Sequence, residues 1–270
     1  MGWFSDRLPR DPRILQIAFL SSFLAFGTLE RGFPAWQVPL LVATCCGTQW
    51  ACTRILGLPP VGYRSPLITS LGLSILLRTD LVWVAVFAGL VAIAGKFFLR
   101  IGGKHLFNPA ALGLGAAMLI TPHAWCSPSQ WGHGLMLAAW FAAFGCAVVS
   151  RAFRADISFA FLGCWTLLKA GRVLFLGQRW AVLGHQLETG SLLLFTFFMI
   201  SDPKTTPDRR SGRIVLAAGT ALLAFHLQHG LFVQNALVWS LLLLSPLTFI
   251  LDKALAKEPT CAPDTPALSR

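Results

Sequence analysis

A chain of 270 residues that is 55% hydrophobic and only 12% charged, with a mean hydropathy of +0.66, is far more apolar than a water-soluble domain and reads as an integral membrane protein. Its net charge of +11 and pI near 10.0 do not point to nucleic acid, because Lys and Arg fall in short clusters between apolar runs, where membrane topology and anionic lipid headgroups account for them. The seven cysteines (Cys45, Cys46, Cys52, Cys126, Cys146, Cys164 and Cys261) make no CxxC pair and lie mostly inside apolar runs, which argues against a zinc site and a disulfide framework.

The polar start from Met1 to Arg13 precedes the apolar run Ile14 to Leu29 and has no small-residue cleavage site after it, so a retained first transmembrane helix with a cytoplasmic N-terminus is expected. Pro34 to Gly57 reads as a second span, and Gly57 to Arg64 as a loop. Pro66 to Leu77 is too short to cross a core that takes about 20 helical residues, and Leu81 to Phe98 is nearly long enough. The segment Gly102-Gly103-Lys104-His105-Leu106-Phe107-Asn108-Pro109 then leads into another short run, Ala111 to Thr121, with Asn108 as a cap and Pro109 at the first helical position. Gly132 to Ser150 spans, Ile157 to Leu168 is short, and Lys169 to Glu188 reads as a helix pair with an exposed linker. Ser191 to Ile200 is short, Ile214 to Leu227 follows, Leu231 to Leu251 is a full span, and Lys253 to Arg270 is expected to be disordered.

One polar stretch stands out, from Phe197 through Asp202-Pro203-Lys204-Thr205-Thr206-Pro207-Asp208-Arg209-Arg210 to Ile214. It predicts a helix ending at Ser201, a capped turn, and a new helix starting near Pro207 or Ser211. Lys204, Arg209, Arg210 and Arg213 beside a helix start suit an anion, although a cytoplasmic loop rich in basic residues explains them equally well. The order apolar segment, Asn108-Pro109, short helix is echoed by apolar segment, Asp202-Pro203, short helix. Paired interrupted helices of this kind mark an internal inverted repeat, here about 14–121 and 132–251, within one membrane domain spanning 1–252.

At these motifs the chain resembles the RnfD/NqrB family, whose members are membrane components of the Rnf electron-transport complex and of the sodium-pumping NADH:quinone reductase. The resemblance is carried by Gly103 through Ala110 with the preceding Lys96, by Ser65-Pro66-Leu67-Ile68-Thr69, and by Phe197 through Gly212. It is especially close to stand-alone members found outside the complete complexes. It implies an all-α integral membrane protein of about 9–10 transmembrane or half-membrane helices in inverted repeats, similar to urea and ammonium channels, sited in the cell's inner membrane. It further implies bound flavin and electron transfer. The family attaches FMN to a Thr in a Ser/Thr-Gly-Ala-Thr motif, which this chain lacks. Thr189 in Glu188-Thr189-Gly190-Ser191 is the nearest candidate and does not match, so noncovalent FMN or riboflavin is expected.

A flavin in a membrane needs an aromatic slot, donors to its pyrimidine edge, and a cationic helix end if it carries phosphate. The chain offers 21 Phe and 10 Trp for the slot, Asn108, Thr205 and Thr206 as donors, and Lys104, Lys204, Arg209 and Arg210 for the anion. His105 is the one histidine inside a motif, and Asp202 reads as a cap paired with Lys204 or Arg209. No nucleophile and base stand in a catalytic arrangement, and no metal-ligand or haem set is apparent. The leading reading is a flavin-binding electron-transport protein whose partners are lipid, redox proteins or quinone, with ion movement as a coupled process. The other readings are a small-solute or ion channel on the same fold, and a scaffold component of a redox complex.

Overall fold

The computed structural model describes residues 11–30, 34–59, 62–127 and 135–255. These residues form twelve α-helices, one π-helical segment and two short two-stranded ribbons, so the expectation of an all-α chain holds while the helix number rises above nine or ten. The additional elements come largely from breaks. The expected span Leu231–Leu251 is split into α11 (Ala236–Leu244) and α12 (Leu247–Ala254), bent by 44° at Ser245-Pro246, where the proline ring cannot continue the ladder. The expected tail falls mostly outside the described residues.

The first half is organised around two short helices. α3 (Arg64–Leu76) and α5 (Pro109–Ile120) are each less than a membrane thickness long, as their apolar runs predict. α4 (Val82–Phe98) joins them and packs on α5 and on α2 (Gln37–Ile55), while α1 (Pro12–Glu30) packs on α3. The approach of α4 to α5 is very close: a Cβ added at Gly113 would lie 2.4 Å from the Ala88 carbonyl oxygen. Beyond α3, β1 (Leu77–Arg78) pairs antiparallel with β4 (Trp125–Cys126) after α5, closing one end of this unit. At the other end β2 (Arg100–Ile101) and β3 (Lys104–His105) form a tight hairpin, whose turn needs positive φ at two positions and has Gly102 (56°) and Gly103 (80°) there.

In the second half α6 (Leu135–Arg151) precedes α7 (Ala155–Phe175), the one described helix long and apolar enough by itself to cross a membrane. α7 runs through Lys169, where the charge pattern predicts its end. The lysine is only 3% exposed and its Nζ bonds Gln228 and His229 of α10 (Arg210–His229), so it finds hydrogen-bond partners inside the helix bundle. The predicted helix pair is therefore α7 and α8 (Trp180–Leu187), joined by a linker that turns at Gly177 (φ 63°). α9 (Gly190–Leu194) then passes directly into the π-helical segment Phe195–Met199, in which the Ile200 amide reaches back five residues to the Phe195 carbonyl. Every residue from Leu192 to Ser201 is buried, which fits a sequence apolar on all sides.

Candidate functional site

The two proline-marked breaks meet. Asn108 has extended backbone geometry and caps α5, its Oδ1 accepting from the Ala111 amide at 3.1 Å with Pro109 at the first helical position. Its Nδ2 then donates across 91 positions of sequence to the Met199 carbonyl at 3.3 Å, where the π-helical segment ends. Next to it the His105 amide donates to the Lys204 carbonyl at 3.0 Å. Backbone groups freed by one broken helix are thus satisfied by the other, which buried backbone requires.

The loop after the π-helical segment is braced from within. Asp202 Oδ1 accepts from the Lys204 amide, and the Asp202 carbonyl accepts from the Thr205 amide and from the Thr205 and Thr206 hydroxyls. Ser201 returns its hydroxyl to the Phe197 carbonyl at 2.6 Å. The far side of the loop is clamped by Lys104, whose Nζ lies 3.0 Å from the Thr206 carbonyl, 2.8 Å from Asp208 and 2.6 Å from Asp252 of α12. Thr248 adds a bond to the Thr205 carbonyl. Arg213 is engaged by Asp156 of α7 and by the Asp208 carbonyl.

Around this joint lies a cavity of about 570 Å³, bounded by α1, α3, the start of α5 and the π-helical segment. Its apolar side is made of residues such as Leu20, Ile68, Phe197, Phe198 and Met199, and Phe198 stacks on Phe19 with ring centroids 5.2 Å apart and planes 13° from parallel. Its polar side carries Arg13, Gln16, Ser65, Thr69, His105, Asp202 and Lys204. Behind Ser65, the buried Lys96 donates to Ser65 Oγ at 3.0 Å and to Gln49 Oε1 at 2.7 Å. Asp11 also lines the cavity but is paired with Arg64 at 2.7 Å, so Arg13, Lys96 and Lys204 outweigh Asp202 and the polar side is cationic.

His105 is the unsatisfied member of this wall, its buried Nδ1 having no partner. Burial, reinforced by the positive charges of Lys96, Arg100 and Lys204, pulls the imidazole from its ordinary 6.5 down to about 4. It is neutral at physiological pH, and a neutral ring offers one nitrogen as an acceptor.

Of the residues expected at the site, His105, Asn108, Asp202 and Lys204 line the cavity together. Lys104 is a clamp whose charge is spent on two carboxylates, not an anion ligand. Thr205 and Thr206 spend their hydroxyl protons on the Asp202 carbonyl, so neither is free to donate to a ring, whereas Asn108 commits its Oδ1 and one of its two Nδ2 hydrogens to the joint. Asp202 braces its own turn through the Lys204 amide; the expected ion pair with Lys204 or Arg209 does not form. Arg209 and Arg210 sit exposed at the start of α10, away from the cavity lining. Thr189 lines a different, smaller cavity, where its hydroxyl donates to the Gln186 carbonyl. The contribution of α3 is foreshadowed by the motif Ser65 to Thr69, whereas that of α1 has no signal in the sequence: Arg13 and Gln16 look like helix-end and helix-face residues until folding brings them to the joint.

Two interrupted helices thus meet at an Asn-Pro and an Asp-Pro break beside a partly open cavity, an arrangement like that in which broken-helix proteins build sites from freed helix ends. Residues 132–260 match the NQR2, RnfD, RnfE family. Over 302 aligned residues the chain is 24% identical to the D component of the ion-translocating oxidoreductase complex of Halorhodospira halophila (strain DSM 244 / SL1), covering 84% of this chain and 85% of that protein. The chain is therefore similar to this family over its second half, and to one complex component over most of its length.

Proposed function

We propose that the protein is a membrane electron-transport component that holds FMN or riboflavin noncovalently in the 570 Å³ cavity at the joint of its two broken helices. The observation that carries this reading is the cavity's two-sidedness. An apolar wall that includes Phe197 and Phe198, the latter backed by Phe19, accompanies a cationic polar wall, which includes a neutral histidine with a buried, unpartnered nitrogen. Those are the demands of a flavin: an apolar slot for the ring, a hydrogen-bond acceptor for its imide N–H, and positive charge near the edge that becomes electron-rich or near a phosphate. When bound, flavin supplies one- and two-electron chemistry that amino-acid side chains lack.

In this reading Phe197 and Phe198 form the face against the ring, His105 Nδ1 accepts from its edge, and Arg13 and Lys204 hold negative charge. The two inter-break hydrogen bonds keep these groups in register. The relative's name, which places it in an ion-translocating oxidoreductase complex, supports partner proteins and electron transfer coupled to ion movement, and residence in the inner membrane belongs to the same reading. The inverted-repeat organisation belongs to the same proposal.

Absorbance and fluorescence spectra of the detergent-purified protein, taken before and after acid precipitation, test it. Yellow colour released into the supernatant is the expected result. Colour retained in the pellet would instead indicate a covalent link, for which Thr189 is poorly placed. Colourless protein after purification in flavin-supplemented buffer would remove the redox reading in favour of the channel or scaffold.

A further inference from the structure

A second cavity, of about 220 Å³, shares Met199 with the first and is otherwise separate from it, lying among α7, α8, α9, α10 and α11. Lys169 stands in its wall. Its Nζ donates to Gln228 Oε1 at 2.9 Å and meets His229 Nε2 at 2.9 Å. An ammonium has three N–H groups and no acceptor, so His229 offers the lone pair of Nε2 and carries its own proton on Nδ1. The Trp165 ring lies 4.6 Å from Nζ. Both polar partners are neutral, no ion pair joins Lys169 to a carboxylate among the described residues, and the neighbouring charge, Arg172, has the same sign. A buried ammonium without a counter-charge costs several kcal/mol, and the natural relief is an anion.

Two further features shape that anion. Gln186 reaches the same cavity with a buried Oε1 that has no partner, and since a half-turn of the amide exchanges its two ends, the same position can present an N–H donor. The rest of the lining is largely apolar, including Leu192, Phe195, Leu237 and Val238. A bare halide would leave this volume and apolar wall unused, and a dianion would lack a second facing cation. We propose that the second cavity binds a small monocarboxylate, its carboxylate on Lys169 and Gln186 and its apolar body against Trp165, Phe195 and Leu237. The site is independent of flavin in the first cavity.

Benzoate is a suitable probe, with benzamide as its neutral isostere and chloride as a bare anion. Thermal unfolding and titration calorimetry are run on the full chain in a detergent without carboxylates. Benzoate should raise the unfolding temperature in a saturable manner and bind measurably, with benzamide and chloride doing neither. Lys169→Met should weaken benzoate binding by at least about tenfold, as expected on removing one partner of a buried charge pair, and Gln186→Leu severalfold, with the fold checked by circular dichroism and gel filtration. Benzoate failing to bind, benzamide or chloride binding as well as benzoate, or benzoate binding unchanged in Lys169→Met would each overturn the proposal. Should Lys169→Met not fold, unaltered affinity in Gln186→Leu would overturn it alone.

Discussion

His105 couples the site to pH. In the unfolded chain its imidazole takes a proton near 6.5, whereas in the folded protein burial and three neighbouring cations delay this to about 4. Between those values the unfolded state binds more protons, so stability attributable to His105 is complete above about 6.5 and is lost as pH falls toward 4. Unfolding temperatures measured across this window should fall more steeply for the native sequence than for His105→Gln, and parallel curves would show that the ring is not held neutral. The neighbouring residues show what a sequence can reveal at this scale. Asn108 is legible as a cap because Asn followed by Pro is a local signal. Lys104 is not legible as a clamp, because its partners Asp208 and Asp252 are distant in sequence and the charge looks available until folding brings them together.

Among the elements, the short helices are readable from run length, and α3, α5 and α9 with its π-helical continuation all fall where apolar runs are too short to span. Two boundaries escape a local pattern. Lys169 resembles a solvent-facing helix end, yet it is interior to α7 because α10 supplies Gln228 and His229, and a long-range partner leaves no trace in the residues nearby. In the opposite sense, Pro246 hides in an apolar run that the structure bends by 44°. The α4–α5 contact sets a sharp test of packing. At Gly113 a methyl group would meet the Ala88 carbonyl, a backbone atom that can yield only by moving a helix. Gly113→Ala should cost about 1–3 kcal/mol, the range for overpacking a close-fitted contact. At Gly163 on α7 nothing lies within 4 Å, so Gly163→Ala should be neutral or slightly stabilising. Comparable melting temperatures for the two variants would mean that the helices do not approach so closely.

For the molecule as a whole, the paired breaks at Asn108-Pro109 and Asp202-Pro203 foretell that something is built from freed helix ends, and they do meet, through Asn108 to Met199 and His105 to Lys204. The enclosure has no such local signal. The cavity depends on α1 and α3 packing beside the joint, so Arg13 and Gln16 acquire their place only from the packing of helices far apart in sequence, and the motif Ser65 to Thr69 marks its residues without showing what they face. The central claim is that this enclosure holds flavin, and it is tested most directly by filling the space. Ile68 lines the cavity from α3, away from the joint's hydrogen bonds, so Ile68→Trp should occupy the slot without cutting the link between the breaks. Flavin content per chain should be measured in monodisperse fractions of the native protein and this variant, both purified with added riboflavin and FMN. The account predicts stoichiometric flavin in the native protein and severalfold less in Ile68→Trp; equal content in the two would place the flavin elsewhere and contradict it.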